Sequence, residues 1–152
     1  CGIQAVYTSP LARAHRTGEI IAACAGLPES AVVVLPEFIE RDMGEYSGQF
    51  IKDRADYFAI AAGADFGGME LFSAVLERMK RGLQILSETG YDTIAAVSHG
   101  AAINVLLAAL SDNQLGTGKT KLYNGSITVL EGDRENGYRI TACNLRPEEL
   151  KG

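Results

Sequence analysis

Thr93-Ile94-Ala95-Ala96-Val97-Ser98-His99-Gly100 decides the reading of this chain. An almost unbroken apolar run of strand length ends in a polar Ser-His-Gly step, and a second apolar stretch, Ala101 to Leu110, follows at once. Continuous apolar strands occur where helices cover both faces of a parallel sheet, so the run predicts a strand buried on both sides. In open α/β sheets, ligands bind at the carboxyl ends of such strands. His99 stands at that end. On this stretch alone, a histidine poised for chemistry and one that merely caps the next helix weigh evenly.

The totals bound what surrounds it. A chain of 152 residues is one domain by length, residues 1–152, and large enough to bury most of its apolar surface. Its 47% apolar and 22% charged residues are those of an ordinary globular protein. The net charge of −5 argues against nucleic acid or an anionic membrane as the main partner, while leaving room for an anionic small molecule opposed by local arginines. No apolar run is long enough to span a bilayer, and no secretory signal opens the chain. Cys1, Cys24 and Cys143 are odd in number and widely spaced, which suggests neither a disulfide framework nor a zinc site. A cytoplasmic protein is the expectation. The chain opens Cys1-Gly2-Ile3-Gln4 without an initiator methionine and runs almost directly into an apolar strand pattern. Either the end is processed or recloned, or further protein precedes it.

Gln4 to Thr8 reads as a strand leading into Ser9-Pro10. Serine as N-cap and proline as first helical residue predict a helix from about Pro10 to Ala25, stopped by Gly26-Leu27-Pro28. Leu11, Ala14, Ile21 and Ala25 would share its apolar face. His15 falls on the polar face beside Arg16 and reads as solvent-exposed. Ala31 to Leu35 predicts a second buried strand. Between Pro36 and Gly68 the pattern is irregular, with Ile51 to Ala62 a candidate helix and Gln49 to Gly68 a candidate cover for a pocket. Leu71 to Glu88 is the clearest amphipathic helix, with Phe72, Val75, Met79, Leu83 and Leu86 on one stripe. Ser126 to Leu130 and Tyr138 to Cys143 predict a strand pair around a turn. Strands alternating with helices, then a late hairpin, predict a layered α/β domain with an antiparallel element at one sheet edge.

Three residues could carry chemistry. Arg13 sits in the first turn of a helix that follows a strand, where free amides and the dipole already favour an anion. Its planar fork suits phosphate, although an isolated arginine is more often just solvated. Glu40 lies in the loop after the second strand, where partial enclosure near arginines suits a proton donor; Glu37, Asp42 and Glu45 are not separable from it by chemistry alone. With His99, these form an arginine fork, a candidate acid and a histidine, each at a strand edge. The set fits phosphoryl transfer through a covalent intermediate. No carboxylate and histidine spacing suggests a metal cage, and no P-loop or GxGxxG is present.

At this point the chain resembles the histidine phosphatase superfamily, with its phosphoglycerate mutase-like fold. Tyr7-Thr8-Ser9-Pro10-Leu11-Ala12-Arg13-Ala14-His15-Arg16-Thr17 is similar to the family's YSSPLxRAxxT segment. The stretch from Glu40 through Gly44 and Tyr46 to Gly48 is similar to its E-x-x-x-G-x-W-x-G loop, with tyrosine for tryptophan. Gly68-Met69-Glu70-Leu71 stands in place of G-G-E-S, followed by Leu76-Glu77-Arg78. Val97-Ser98-His99-Gly100 matches VSHG, and Asn124-Gly125-Ser126-Ile127 resembles N-x-S-I. The five fall in register across nearly the whole chain.

The resemblance implies a three-layer α/β/α fold with a mostly parallel sheet and an antiparallel edge strand. It implies roles as well. Arg13 would bind the transferring phosphoryl group, His99 would help neutralise it, and Glu40 would protonate the leaving oxygen and later activate water. Ser9 and the Gly100 amide would face the substrate, and Glu70 would be structural or supporting. No cofactor and no metal is implied. The partner would be a small phosphorylated substrate or phosphate, and a homodimer stays open. The family's nucleophile, the histidine of L-x-R-H-G-x-T, has no counterpart here, since His15 and His99 align with other positions. The expectation is therefore an N-terminally incomplete domain, its first strand and nucleophilic histidine ahead of residue 1, and inactive by itself. Ala101, where mutases commonly carry asparagine, tilts the reading toward a metal-independent phosphatase. A phosphoglycerate mutase and an inactive member that binds a phospholigand or partner remain the alternatives.

Overall fold

The computed structural model describes residues 2–48 and 67–150. The candidate helix Ile51 to Ala62, and most of the Gln49 to Gly68 cover with its Lys52 and Arg54, lie outside the described residues. Strand β1 (Ala5–Thr8) is central and fully buried. It pairs in parallel with β2 (Val32–Val34) on one side and with β3 (Ile94–Val97) on the other, giving the order β2-β1-β3. Two parallel neighbours need crossover connections, which helices provide. Helix α1 (Ala12–Cys24) follows β1, α2 (Phe72–Ser87) precedes β3, and α3 (Gly100–Leu110) follows it. Strands β4 (Ile127–Asp133) and β5 (Gly137–Leu145) form an antiparallel hairpin as a second sheet.

The period of two along β1 sorts the layers. Ala5 and Tyr7 point into the main core, where Phe38, Val75, Met79, Ala102, Val105 and Leu106 from the helical side meet them. Val6 and Thr8 point the other way, onto α1. That contact depends on Gly18: a Cβ there would come within 2.2 Å of the Thr8 methyl and 3.3 Å of Val6. The buried stripe of α1 is accordingly Ala14, Gly18 and Ala22, one small residue per turn, and not the Leu11, Ala14, Ile21 and Ala25 face expected from size. Helix, sheet and helix pair make three layers. The late hairpin joins the α2 side, where the Tyr138 hydroxyl donates to the Leu83 carbonyl at 3.1 Å.

Three expectations need correction. First, α1 begins at Ala12, with Leu11 as its capping residue; Ser9-Pro10 is a turn ahead of it, in which the Ser9 hydroxyl accepts the Leu11 amide at 3.2 Å. Second, β2 is not a buried strand. It is an outer strand of three residues with Val33 41% and Val34 45% exposed, because only its Val32 side is covered by α1. Third, β3 is half-buried with Ala96 exposed, and so is not closed on both faces. It stands at the end of the described sheet, and among the described residues no strand pairs with its outer edge. An apolar run read one residue at a time carries no record of which strand ends a sheet.

Candidate active site

The carboxyl ends of β1, β2 and β3 share one rim, since all three strands are parallel. Each is followed by a residue singled out above: Ser9 and Arg13 after β1, Glu40 after β2, His99 and Gly100 after β3. Extended backbone at His99 turns straight into α3, so the first amides of that helix face the rim.

His99 is the N-cap residue of this helix by position, its carbonyl accepting the Ile103 amide at 2.9 Å, but its side chain makes no capping bond. The side-chain cap is supplied by Glu40. Its Oε1 accepts the Ala102 amide at 3.0 Å and the Arg41 amide at 2.9 Å, and its Oε2 lies 3.5 Å from the Ala101 amide. A carboxylate at a helix N-terminus is favoured by both the free donors and the dipole. Glu40, chosen from four acidic residues of its segment by resemblance, is singled out by this geometry.

His99 is buried to 7% exposure, and its Nε2 lies 2.7 Å from the Ser9 hydroxyl. Burial pushes its pKa below the ordinary imidazole value; the Glu40 carboxylate opposes the shift, while the charges of Arg13 and Arg78 add to it. Arg13, Glu40 and His99 are thus within electrostatic reach of one another. Arg13 is exposed on the first turn of α1 and lines the same cleft as Leu11, Ile39, Glu40 and Arg78. Ser9, expected at the substrate, is 0% exposed, with its oxygen shared between His99 and the Leu11 amide. Gly100 opens α3 with free space where a side chain would be, since a Cβ built on it meets nothing within 4 Å. His15 is half-buried, its Nδ1 3.3 Å from the Thr8 hydroxyl and its Nε2 3.7 Å from Glu19, where full exposure was expected. It has been drawn onto the end of β1 by the close approach of α1.

Beneath Glu40 lies a polar frame that the sequence did not single out. Arg78, on α2, is 8% exposed. It makes a two-pronged ion pair with Glu70, Nε to Oε1 at 2.7 Å and Nη2 to Oε2 at 2.9 Å. The pair holds the Glu70 carboxyl below the usual carboxylate range. Arg41 is also buried, its Nε donating to the Glu70 carbonyl at 2.7 Å and its guanidinium stacked 4.4 Å from the centre of the Phe72 ring. The signals in the sequence were the placing of Glu70 as a supporting residue and the Leu76-Glu77-Arg78 step that follows it; neither assigns Arg78 a role, and an arginine among the apolar residues of an amphipathic helix gives no cue to its burial. Among the described residues, no group of three or more His, Cys, Asp or Glu side chains could hold a metal ion. Nor is any helix among them long and apolar enough to cross a membrane.

Residues 1–145 match the family model described as histidine phosphatase superfamily (branch 1). A Bacillus subtilis protein, the uncharacterized phosphatase PhoE, is 30% identical over 141 residues, covering 92% of this chain and 69% of that protein. The solved structure of Bacillus stearothermophilus YhfR superposes with a TM-score of 0.77 at 21% identity, over 97% of this chain and 76% of that one. A phosphoglycerate mutase from Bacillus anthracis gives 0.76 at 19% identity, over 94% and 73%. The chain belongs to the histidine phosphatase superfamily, and its fold is phosphoglycerate mutase-like.

Proposed function

We propose that this member of the superfamily serves a metal-independent phosphomonoesterase acting on a small phosphorylated metabolite through a phosphohistidine. The observation that carries this reading is the convergence of Glu40, His99 and Arg13 around the first turn of α3, with Glu40 already bonded to its amides. The rim thus offers an anion site with a proton donor beside it, which is what phosphate-ester cleavage requires.

In this reading the nucleophile is a histidine outside residues 1–152, expected ahead of residue 1. Its ring nitrogen attacks phosphorus as the ester P–O bond breaks. Arg13, His99 and the Gly100 amide balance charge on the phosphoryl oxygens, and protonated Glu40 gives its proton to the leaving oxygen. Water then attacks the phosphohistidine, the Glu40 carboxylate takes the proton of that water, and the P–N bond breaks to release phosphate. Residues 1–152 alone would bind phosphate without turnover.

The test is phosphate release by the native protein from a panel of phosphomonoesters in the presence of a chelator, with Arg13→Ala and His99→Ala as controls. Labelled substrate should leave acid-labile, base-stable label on a histidine. Loss of all turnover in chelator, or label on another residue type, would overturn the reading. Label retained after phosphoglycerate without phosphate release would favour the mutase alternative instead.

A further inference from the structure

We infer that Arg78, acting through Glu70, is the positioning residue that sets where Glu40 delivers its proton; the inference rests on the proposed role of Glu40 above. Glu40 sits on an irregular stretch between two 3-10 turns, Pro36–Phe38 and Gly44–Tyr46, so no regular ladder holds it. Its backbone is instead tied down residue by residue. The Glu37 and Ile39 carbonyls both accept from Nη1 of Arg78, at 2.9 and 2.6 Å. The carbonyl between them, on Phe38, accepts from the Ser98 hydroxyl at 2.8 Å. Beyond Glu40, the Arg41 side chain donates to the Glu70 carbonyl, and Asp42 exchanges two bonds with Glu70: Asp42 amide to Oε2 at 3.2 Å, Glu70 amide to Asp42 carbonyl at 2.9 Å. Both flanks of Glu40 therefore converge on one ion pair.

That pair is mounted on something rigid. Arg78 lies mid-helix between Val75 and Met79, which are 0% and 2% exposed in the main core. Four of its five N–H bonds are engaged in two directions at once, two to a carboxylate and two to carbonyls. Only a planar fork can do this; a lysine ammonium offers three donors from a single point. Removing the fork would free the 37–42 backbone while leaving the Glu40 carboxyl chemically intact. Small misplacements of a catalytic group are costly: about an ångström can reduce rate on the order of 10²-fold.

The experiment is a leaving-group comparison on the native protein. An alkyl phosphate needs its leaving oxygen protonated, whereas dinitrophenyl phosphate expels a stable phenolate unaided. Arg78→Lys should lower kcat/KM for the alkyl ester about tenfold or more and leave the dinitrophenyl ester within about threefold. Glu40→Gln should show the same selectivity, and the double variant should lose no more on the alkyl ester than Glu40→Gln alone. Should Arg78→Lys fail to fold, Glu70→Gln serves in its place. Equal losses on both esters for the Arg78 or Glu70 variant, or additive losses in the double variant, would overturn the inference. If Glu40→Gln itself loses equally on both, the premise about Glu40 has failed, an outcome distinguishable from failure of Arg78 alone.

Discussion

The carboxylate of Glu40 lies 3.0 Å from the amide nitrogen of Ala102, a residue 62 positions further along the chain. One side chain thus bonds the first turn of α3 and is also the acid in the proposed reaction. Removing it entirely should therefore have two separable effects. Glu40→Ala should destabilise the fold by about 1 kcal/mol, the usual cost of a lost cap, whereas Glu40→Gln, which keeps an accepting oxygen, should cost only a fraction of that. Both should lower turnover of alkyl phosphates by on the order of 10²-fold or more. Thermal denaturation and initial rates of the two variants check this; equal stability losses would mean that the bond to Ala102 contributes nothing.

His99 should remain neutral through the neutral pH range. Burial disfavours its imidazolium, so the folded protein binds fewer protons there than the unfolded chain, whose histidines titrate near about 6.5. Its contribution to stability is whole above that value and is lost as pH falls from there through the lowered folded pKa. NMR titration of the His99 ring protons should place its midpoint below the ordinary histidine value. Saturating phosphate should then raise that midpoint, because an anion beside the ring favours the charged form. An unchanged midpoint would place the anion elsewhere.

Glu70 contributes in the acidic range. Its pKa is lowered chiefly by the hydrogen-bonded Arg78, so the stability it supplies is present above the ordinary carboxylate value of about 4.3 and is lost as pH falls through the folded value. Glu70→Gln should flatten the acid limb of the stability curve. Arg78→Met, which leaves Glu70 without its partner, should cost about 3 kcal/mol. Chemical denaturation at several pH values measures both.

Gly18 is a packing requirement. A Cβ at this position would fall 2.2 Å from the Thr8 methyl, so Gly18→Ala must push α1 away from β1. A helix interior ordinarily gains from this exchange. Here a loss of about 1–3 kcal/mol is expected from overpacking. Because Thr8 precedes Ser9, phosphate affinity should weaken in the same variant. A stabilised protein would show that the layers are not in close contact.

Arg13→Ala should leave stability unchanged, since Arg13 is exposed on the first turn of α1. Phosphate affinity, followed by calorimetry, should fall about tenfold or more, in keeping with loss of a charge-assisted fork. Unchanged affinity would remove Arg13 from the site.

What was legible locally is visible in particular elements. The valine run and the Ser-Pro step located β2 and the start of α1 to within two residues, because strand and helix periods act over short distances. The α2 stripe of Val75, Met79 and Leu86 was legible for the same reason. Burial was not. Val33 looks as apolar as Val6, yet one is 41% exposed and the other 0%, and only sheet order separates them. Arg78 looks as polar as Arg81, yet only Arg78 turns inward, where the Glu70 carboxylate and two loop carbonyls are waiting for it.

The sequence by itself was enough for the α/β class and the family, and it offered Arg13, Glu40 and His99 as a candidate set, because each falls in a short motif that is read locally. The tertiary structure alone decided how they act on one another. Glu40 supplies the side-chain capping bonds of α3 that the His99 ring does not make, Ser9 turns inward to hold the imidazole, and a buried arginine on α2 grips the backbone on which Glu40 stands. Such relations join residues tens of positions apart through hydrogen bonds whose partners are chosen by packing, and no local pattern of residues encodes that choice.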